Sequence, residues 1–416
     1  MKNTLVFSIA TLGLLASLSH YAFAQDIEHI HLSKSETLQL DEVFKQALLN
    51  APQYREIAAR NEQAQSHEDI GQSWIAGRPN VQLDYIDDRS LSNLGEKELT
   101  YGIELPLWRP GQKREMQALG QRYSQQASLW QQSFTLSIAG QLRTALADLQ
   151  ATEMLQALEQ QATEDARTLL SAVEKLFDAG EVAQLDVMQA RSLLLAQQRN
   201  ELAADARRVD AERTYYVLTG LSAIPSTPLS ETRIEAEEVP LDHPVLQLLQ
   251  SNIDLEDANI SKALNTAKGN PTLTIGSRRQ KADAYADYSN ALALSISVPI
   301  GGKSFVSAAG SAARRAKVDA QVQYYTAVRE LNSKLHEVEH ELFTLDLALP
   351  MAREQAELSR AQWEMARSAF ELGETDMSRV VIALQQARAS AKEYETLSLQ
   401  YQRLIIESNQ IIGVLP

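Results

Sequence analysis

The chain has 416 residues, no cysteine, and 54 acidic against 39 basic side chains, a formal charge of −15 at pH 7. Without a thiol there is no disulfide, no thiolate metal site and no cysteine to carry a lipid, and the acidity argues against nucleic acid as a partner. Mean hydropathy is −0.27, and past Ala24 no run approaches the roughly 18 apolar residues of a spanning helix. Membrane β-strands, whose alternation keeps hydropathy low, are not excluded.

Lys2, the apolar stretch from Leu5 to Leu18, and the small residues Ala22 and Ala24 before Gln25 have the pattern of a secretory leader over residues 1–24, too short for a spanning helix. His29 and His31, with Asp26 and Glu28, are types that bind cations, but a frayed terminal segment is the plainer reading.

A first structural repeat then covers residues 25–221. A helix from about Leu40 to Ala76 leads into two strands. Val81, Leu83 and Tyr85 alternate with polar residues, and after a polar turn Tyr101, Ile103 and Leu105 do the same. Period-two runs of this length, bounded by prolines, match a transmembrane β-strand. Trp74, Trp108, Tyr285 and Tyr288 fall near strand ends, where an interfacial girdle belongs. Pro106 and Gly111 mark a corner from strand to helix.

From Pro110 to Pro225 no proline intervenes, and Ala, Leu, Gln, Glu and Arg dominate, which predicts two very long helices. The first, Gln112 to Phe177, would measure roughly 100 Å at 1.5 Å per residue. Ile138, Leu142, Ala145 and Leu149 mark a coiled-coil seam along it. Phe177-Asp178-Ala179-Gly180 interrupts the pair, with Gly180 placed as a C-terminal stop.

The same plan then recurs. Pro106 returns as Pro299, Phe177 as Phe370, Gly180-Glu181 as Gly373-Glu374 and Gly220 as Gly413, at an offset of 193, whereas Pro52 pairs with Pro244 and Pro79 with Pro271 at 192. A period this long means one large unit duplicated and fused, not a solenoid. Residues 222–242, rich in proline and acids, are the linker, and residues 243–416 are the second repeat: a helix from Pro244 to Lys268, strands around Leu273 and Leu292–Val298, and another long helical pair. Pro350 falls inside the second long helix, where a kink or local unwinding is expected.

Four strands cannot close a barrel, and an open edge cannot face lipid; if they span, several chains share one barrel. Two hairpins capping a helical rod is the alternative.

On these residues the chain resembles the TolC-like outer-membrane factors of tripartite efflux and type I secretion systems. Ile103-Glu104-Leu105-Pro106-Leu107-Trp108-Arg109-Pro110-Gly111, echoed by Ile296-Ser297-Val298-Pro299-Ile300-Gly301-Gly302, is similar to that family's strand-to-helix corner. Leu176-Phe177-Asp178-Ala179-Gly180-Glu181, with Leu185-Asp186-Val187 and Ala190-Arg191, is similar to its periplasmic tip. The segment Asn270 to Arg279 looks most like the CzcC-type subgroup, which serves heavy-metal cation pumps of the resistance-nodulation-division (RND) class.

The resemblance implies a mainly α fold with a membrane β-barrel: long coiled-coil hairpins plus four strands per chain, a homotrimer with a 12-stranded barrel and a helical tunnel. It implies a non-enzymatic outer-membrane duct without cofactor, touching outer-membrane lipid and working with a periplasmic membrane-fusion adaptor protein and an inner-membrane RND pump. A drug-efflux or type I protein-secretion duct stays open, as does, outside the family, a periplasmic coiled-coil rod with no pore. The tips Phe177, Gly180, Glu181, Phe370, Gly373 and Glu374 would meet the adaptor. Asp186, Asp376 and Arg379 would line the aperture, where a carboxylate ring attracts cations. The acidic rings of the best-known members would fall at Arg379 and Ile382, so Arg379 is expected instead to form an intersubunit pair with Asp186 or Asp376. Corners at Pro106 and Gly111, and at Pro299 and Gly301, would join barrel to tunnel.

Two motifs point elsewhere. His336-Glu337-Val338-Glu339-His340 satisfies H-E-x-x-H, but His340 is followed by Glu341-Leu342-Phe343 and not by a metzincin extension, and a solvated helix face is the plainer reading. Gly301-Gly302-Lys303-Ser304 ends like a phosphate-binding loop, yet the earlier glycine it needs is Ser297.

Overall fold

Prolines and glycines punctuate this chain, and its elements begin and end at them. The computed structural model describes residues 31–416; the leader and His29 lie outside the described residues. In order these are β1 (Ser33–Ser35), α1 (Leu40–Asn50), α2 (Tyr54–Gln72), β2 (Asn80–Asp87), β3 (Lys97–Pro106), α3 (Gln112–Asp178) and α4 (Gln184–Thr219). The second half adds β4 (Ala223–Pro225), α5 (Pro244–Lys268), β5 (Thr272–Lys281), β6 (Ser289–Ser297), α6 (Lys303–Glu371) and α7 (Met377–Ile411). A single 3-10 turn, Asp88–Ser90, sits at the first hairpin's tip.

The long helices behave as the composition predicts: α3 has 67 residues and α6 has 69. Ile138, Leu142, Ala145 and Leu149 are all buried, as are Leu335, Val338 and Leu342, the equivalents of the last three. Because one apolar stripe per helix is all that is buried, the core is a string of clusters. One gathers Val43, Leu142, Leu149, Tyr215 and Ile406 near the chain's middle, and another, at the tips, gathers Val173, Ala190, Phe370, Val380 and Leu384. Each fully buried leucine in such a cluster contributes on the order of 2 kcal/mol.

Two expectations need correction. The helix predicted from Leu40 to Ala76 is two helices: Pro52 has no N–H and disfavours helical geometry in the residue before it, and Ala51 is extended at φ −65°, ψ 129°. The run also stops early, at Gln72, where the Ser73 N–H bonds back to the Asp69 and Ile70 carbonyls. Pro350 does not unwind its helix, since α6 runs unbroken through it. Packing on α7 holds both sides: Leu342 and Leu345 are clamped before the proline and Phe370 after it, so one missing hydrogen bond does not open the rod. The linker carries a short strand. Its β4 pairs in parallel with β1, Ser33 opposite Ala223 and Ser35 opposite Pro225.

His243 closes the linker and begins the second repeat. Its Nδ1 accepts from the Val245 N–H at 3.2 Å, so the ring caps α5 only when neutral. Burial, opposed by the Asp242 charge, lowers its pKa. A group with a depressed folded pKa that must stay neutral stabilises the fold above its unfolded value, near 6.5, and that contribution is lost as pH falls toward the folded value. His67, stacked on Tyr123 at 3.9 Å, is lowered too, by burial first and Lys262 second. Thermal unfolding followed from neutral to mildly acidic pH should therefore show a loss of stability that His243→Asn, a cap without a titrating group, partly removes. An unchanged pH slope in that variant would show that His243 is not responsible.

Candidate functional site

The four long strands form one antiparallel sheet in the order β2-β3-β5-β6, with β2 and β6 as open edges. Register decides its two faces. Val81, Leu83 and Tyr85 stand opposite Ile103, Tyr101 and Leu99, and on β5 and β6 Leu273 and Ile275 stand opposite Ile296 and Leu294. These residues share one apolar face. The other carries Gln82, Asp84, Thr100, Glu104, Thr274 and Ser295, with Arg278 donating to Glu98 at 2.5 Å. Strand alternation thus makes a sheet with one oily and one wet side.

The corner after β3 is welded to the second repeat. The Leu107 N–H donates to the Pro271 carbonyl at 2.7 Å, and Trp108 Nε1 to Ser73 O at 3.0 Å. Arg109 donates to Gly269 O at 2.5 Å and Lys268 O at 2.9 Å, satisfying the free carbonyls at the negative end of α5. Trp108 is therefore engaged in the corner, while Trp74 is exposed. Gly111, at φ 84°, occupies the cap of α3, and Gly302, at φ 78°, that of α6. At the second corner Pro299 packs on Gly269, Gly301 is left-handed, and Ile300 stands 93% exposed. Gly301-Gly302-Lys303-Ser304 is thus a turn from strand toward helix.

The two tips share one backbone device. The Glu181 N–H reaches Leu176 O at 2.9 Å and the Gly180 N–H reaches Phe177 O at 2.9 Å; Glu374 and Gly373 repeat this on Ala369 and Phe370 at 2.8 and 2.9 Å. This is the Schellman pattern, whose reversal requires the left-handed glycine, here at φ 79° and 75°. The side chains differ. Phe370 is 5% exposed inside the tip cluster, whereas Phe177 is 41% exposed, so only Phe177 offers its ring to a partner.

The returning helices start with swapped caps. In the first repeat the Asp186 carboxylate accepts from the Ala183 N–H at 3.0 Å; in the second, Asp376 itself is the cap and accepts from the Arg379 N–H at 3.0 Å. Asp186 and Arg379 occupy the same site, 193 residues apart, with opposite charge. Arg379 lies 3.8 Å from Asp376 within the chain, an exposed pair of small energetic weight. Ile382 is exposed on the same helix.

His336, Glu337 and His340 all face solvent on α6. No group of three potential metal ligands exists among the described residues, so H-E-x-x-H lacks its third ligand. His31 lies 3.6 Å from Glu212.

The motifs above do not include a buried junction at mid-chain. Arg143, 2% exposed, donates from Nε and Nη2 to Glu231 at 2.7 and 3.0 Å, and from Nη1 to Gln410 Oε1 and the Val414 carbonyl at 2.6 and 2.7 Å. Asn409 completes the cradle, donating to Glu231 at 2.8 Å. Close by, Arg233 pairs with Glu339. The sequence signal was a cation beside the buried seam, at a position where the second repeat has His336.

Residues 43–221 match the family model described as outer membrane efflux protein. The fold of the chain, over both repeats, is similar to that of solved channels. The Campylobacter jejuni CmeC outer membrane channel is 15% identical with a TM-score of 0.71, over 99% of this chain and 94% of that one. The outer membrane protein VceC of Vibrio cholerae is 14% identical with a TM-score of 0.74, over 90% and 96%. CusC, described for its transmembrane channel formation, is 12% identical with a TM-score of 0.74, over 90% and 92%. Comparison with curated proteins finds no match. Among the described residues no helix is long and apolar enough to cross a membrane.

Proposed function

We propose that three copies of this chain form an outer-membrane exit duct, with a shared 12-stranded barrel above a helical tunnel. The observation that carries the reading is the sheet: four strands, one apolar face, one polar face and two unpaired edges, attached to rods of about 100 Å. An edge in lipid leaves backbone groups unsatisfied at several kcal/mol each, and only closure removes it. Three sheets placed edge to edge, β6 of one chain beside β2 of the next, face the apolar side outward and the polar side inward.

The tips then lie at the periplasmic end, where the exposed Phe177 and the turns at Gly180 and Gly373 meet the adaptor, which couples the duct to an inner-membrane RND pump. Asp186 and Arg379 alternate around the aperture. The likeness of Asn270 to Arg279 to the CzcC-type subgroup favours heavy-metal cations such as cobalt, zinc or cadmium as the cargo.

Purified from outer membranes, the protein should migrate as a heat-modifiable trimer and conduct in planar bilayers, and a deletion strain should grow poorly on those metals. A non-conducting species would leave the periplasmic rod, and sensitivity to drugs without metals would remove the cation assignment.

A further inference from the structure

Above the apolar band, at the end of the sheet away from the helices, the outward face changes character. Leu99 stands opposite Arg279 and Lys97 opposite Lys281, and alternation puts Lys97, Arg279 and Lys281 on the side of Tyr101, Ile275 and Leu292. Tyr288 shares that face. Its ring lies 4.4 Å from the Arg279 guanidinium and 5.7 Å from the Lys281 ammonium, so one aromatic gathers two cations.

These charges are not spent on internal pairing. The acid opposite Lys97 is Asp87, which accepts from the Tyr85 hydroxyl at 2.9 Å and pairs with Arg89 at 3.1 Å. Glu98 is on the inward face with Arg278, and the Asp283 carboxylate caps its own turn through the Tyr285 and Ala286 N–H groups. Among the described residues Lys97, Arg279 and Lys281 have no ion-pair partner.

A cation on the lipid-facing side of a barrel is costly at the midplane and tolerated at the interface. Measured along β6, the outward residues Leu292 to Val298 cover roughly 20 Å at 3.3 Å per residue, which places the Arg279 rung at the top of the apolar layer. Its neighbour in the bilayer is a headgroup.

We propose that Lys97, Arg279, Lys281 and Tyr288 form a docking surface for the phosphate groups of a phosphorylated lipid in the outer leaflet. This rests on the barrel reading above, which puts the hairpin tips on the far side of the membrane. Arg279 supplies a fork for phosphate oxygens and the two lysines supply point charges, while the band below takes the acyl chains.

The test uses the full-length protein in nanodiscs containing a bis-phosphorylated glycolipid or its dephosphorylated counterpart, with retained lipid counted by native mass spectrometry. Wild type should retain the phosphorylated lipid selectively, and Arg279→Gln/Lys281→Gln should retain it roughly thirtyfold less well, from two interfacial charges removed. The variant should still form the heat-modifiable, conducting trimer. Equal retention by variant and wild type, equal retention of both lipids, or displacement by free inorganic phosphate as readily as by lipid would each overturn the proposal while leaving the barrel standing. A wild-type protein that forms no barrel would overturn both.

Discussion

Arg143→Ala should destabilise the folded chain by about 3–5 kcal/mol, the cost of leaving one partner of a buried ion pair uncompensated. The substitution strands Glu231 in the cradle with only Asn409 and removes the donors that hold Gln410 and the Val414 carbonyl. Three distant stretches meet on this one guanidinium: the seam of α3, the linker, and the chain's last residues. Their separation in sequence means that local structure survives while the junction opens. Chemical unfolding should shift to lower denaturant, and limited proteolysis should cut first within residues 222–242. Arg143→Met with Glu231→Leu should recover much of the loss, because a matched apolar pair leaves no orphan charge. Equal denaturation midpoints for Arg143→Ala and wild type would show that the network contributes little.

The sequence was most informative where a residue type has a single physical use. Gly180, Gly373, Gly111 and Gly302 are all left-handed and all end or begin a long helix, because a side chain is strained there. Strand faces were readable from alternation, which survives even though both faces are exposed in a single chain. Legibility failed where the deciding contact is distant. The pairing of β1 with β4 joins Ser33 to Ala223 across a whole repeat, with no periodicity to announce three-residue strands. Phe177 and Phe370 look identical in sequence, and only the packing of the second tip against the first repeat's helices buries one of them. Pro350 shows the converse: a proline inside a helix forecasts unwinding, yet α6 runs unbroken through it with apolar packing on either side.

The swapped caps at the tips connect duplication to function. Both repeats need an acid to satisfy the first turn of the returning helix, and a carboxylate at either of two positions does so. With Asp376 as the cap, the position equivalent to Asp186 needs no acid, and Arg379 stands there. In the proposed trimer, capping therefore leaves an aperture of alternating sign where a strict repeat would have placed six carboxylates.

Gly276→Val should abolish the barrel. Gly276 and Gly102 face each other in register between β3 and β5, the line that joins the two repeats' hairpins. A Cβ on Gly276 would lie 2.2 Å from the Tyr101 carbonyl oxygen and 2.8 Å from the Gly102 Cα, and one on Gly102 would lie 2.9 Å from the Ile275 carbonyl oxygen. These obstacles are backbone, so no rotamer change relieves them, and paired glycines are what such a close approach requires. A valine would part β3 from β5 and split one sheet into two hairpins, each too small to be stable alone and each with a new edge that lipid does not tolerate. Ser277→Val is the control: one residue on, it points to the apolar outer face opposite Tyr101 and Leu292, where a branched side chain belongs. Cell fractionation should find the Ser277 variant in the outer membrane as a heat-modifiable species and the Gly276 variant absent from it. Equal amounts of heat-modifiable protein from both would mean that the strands do not need this approach to close the duct.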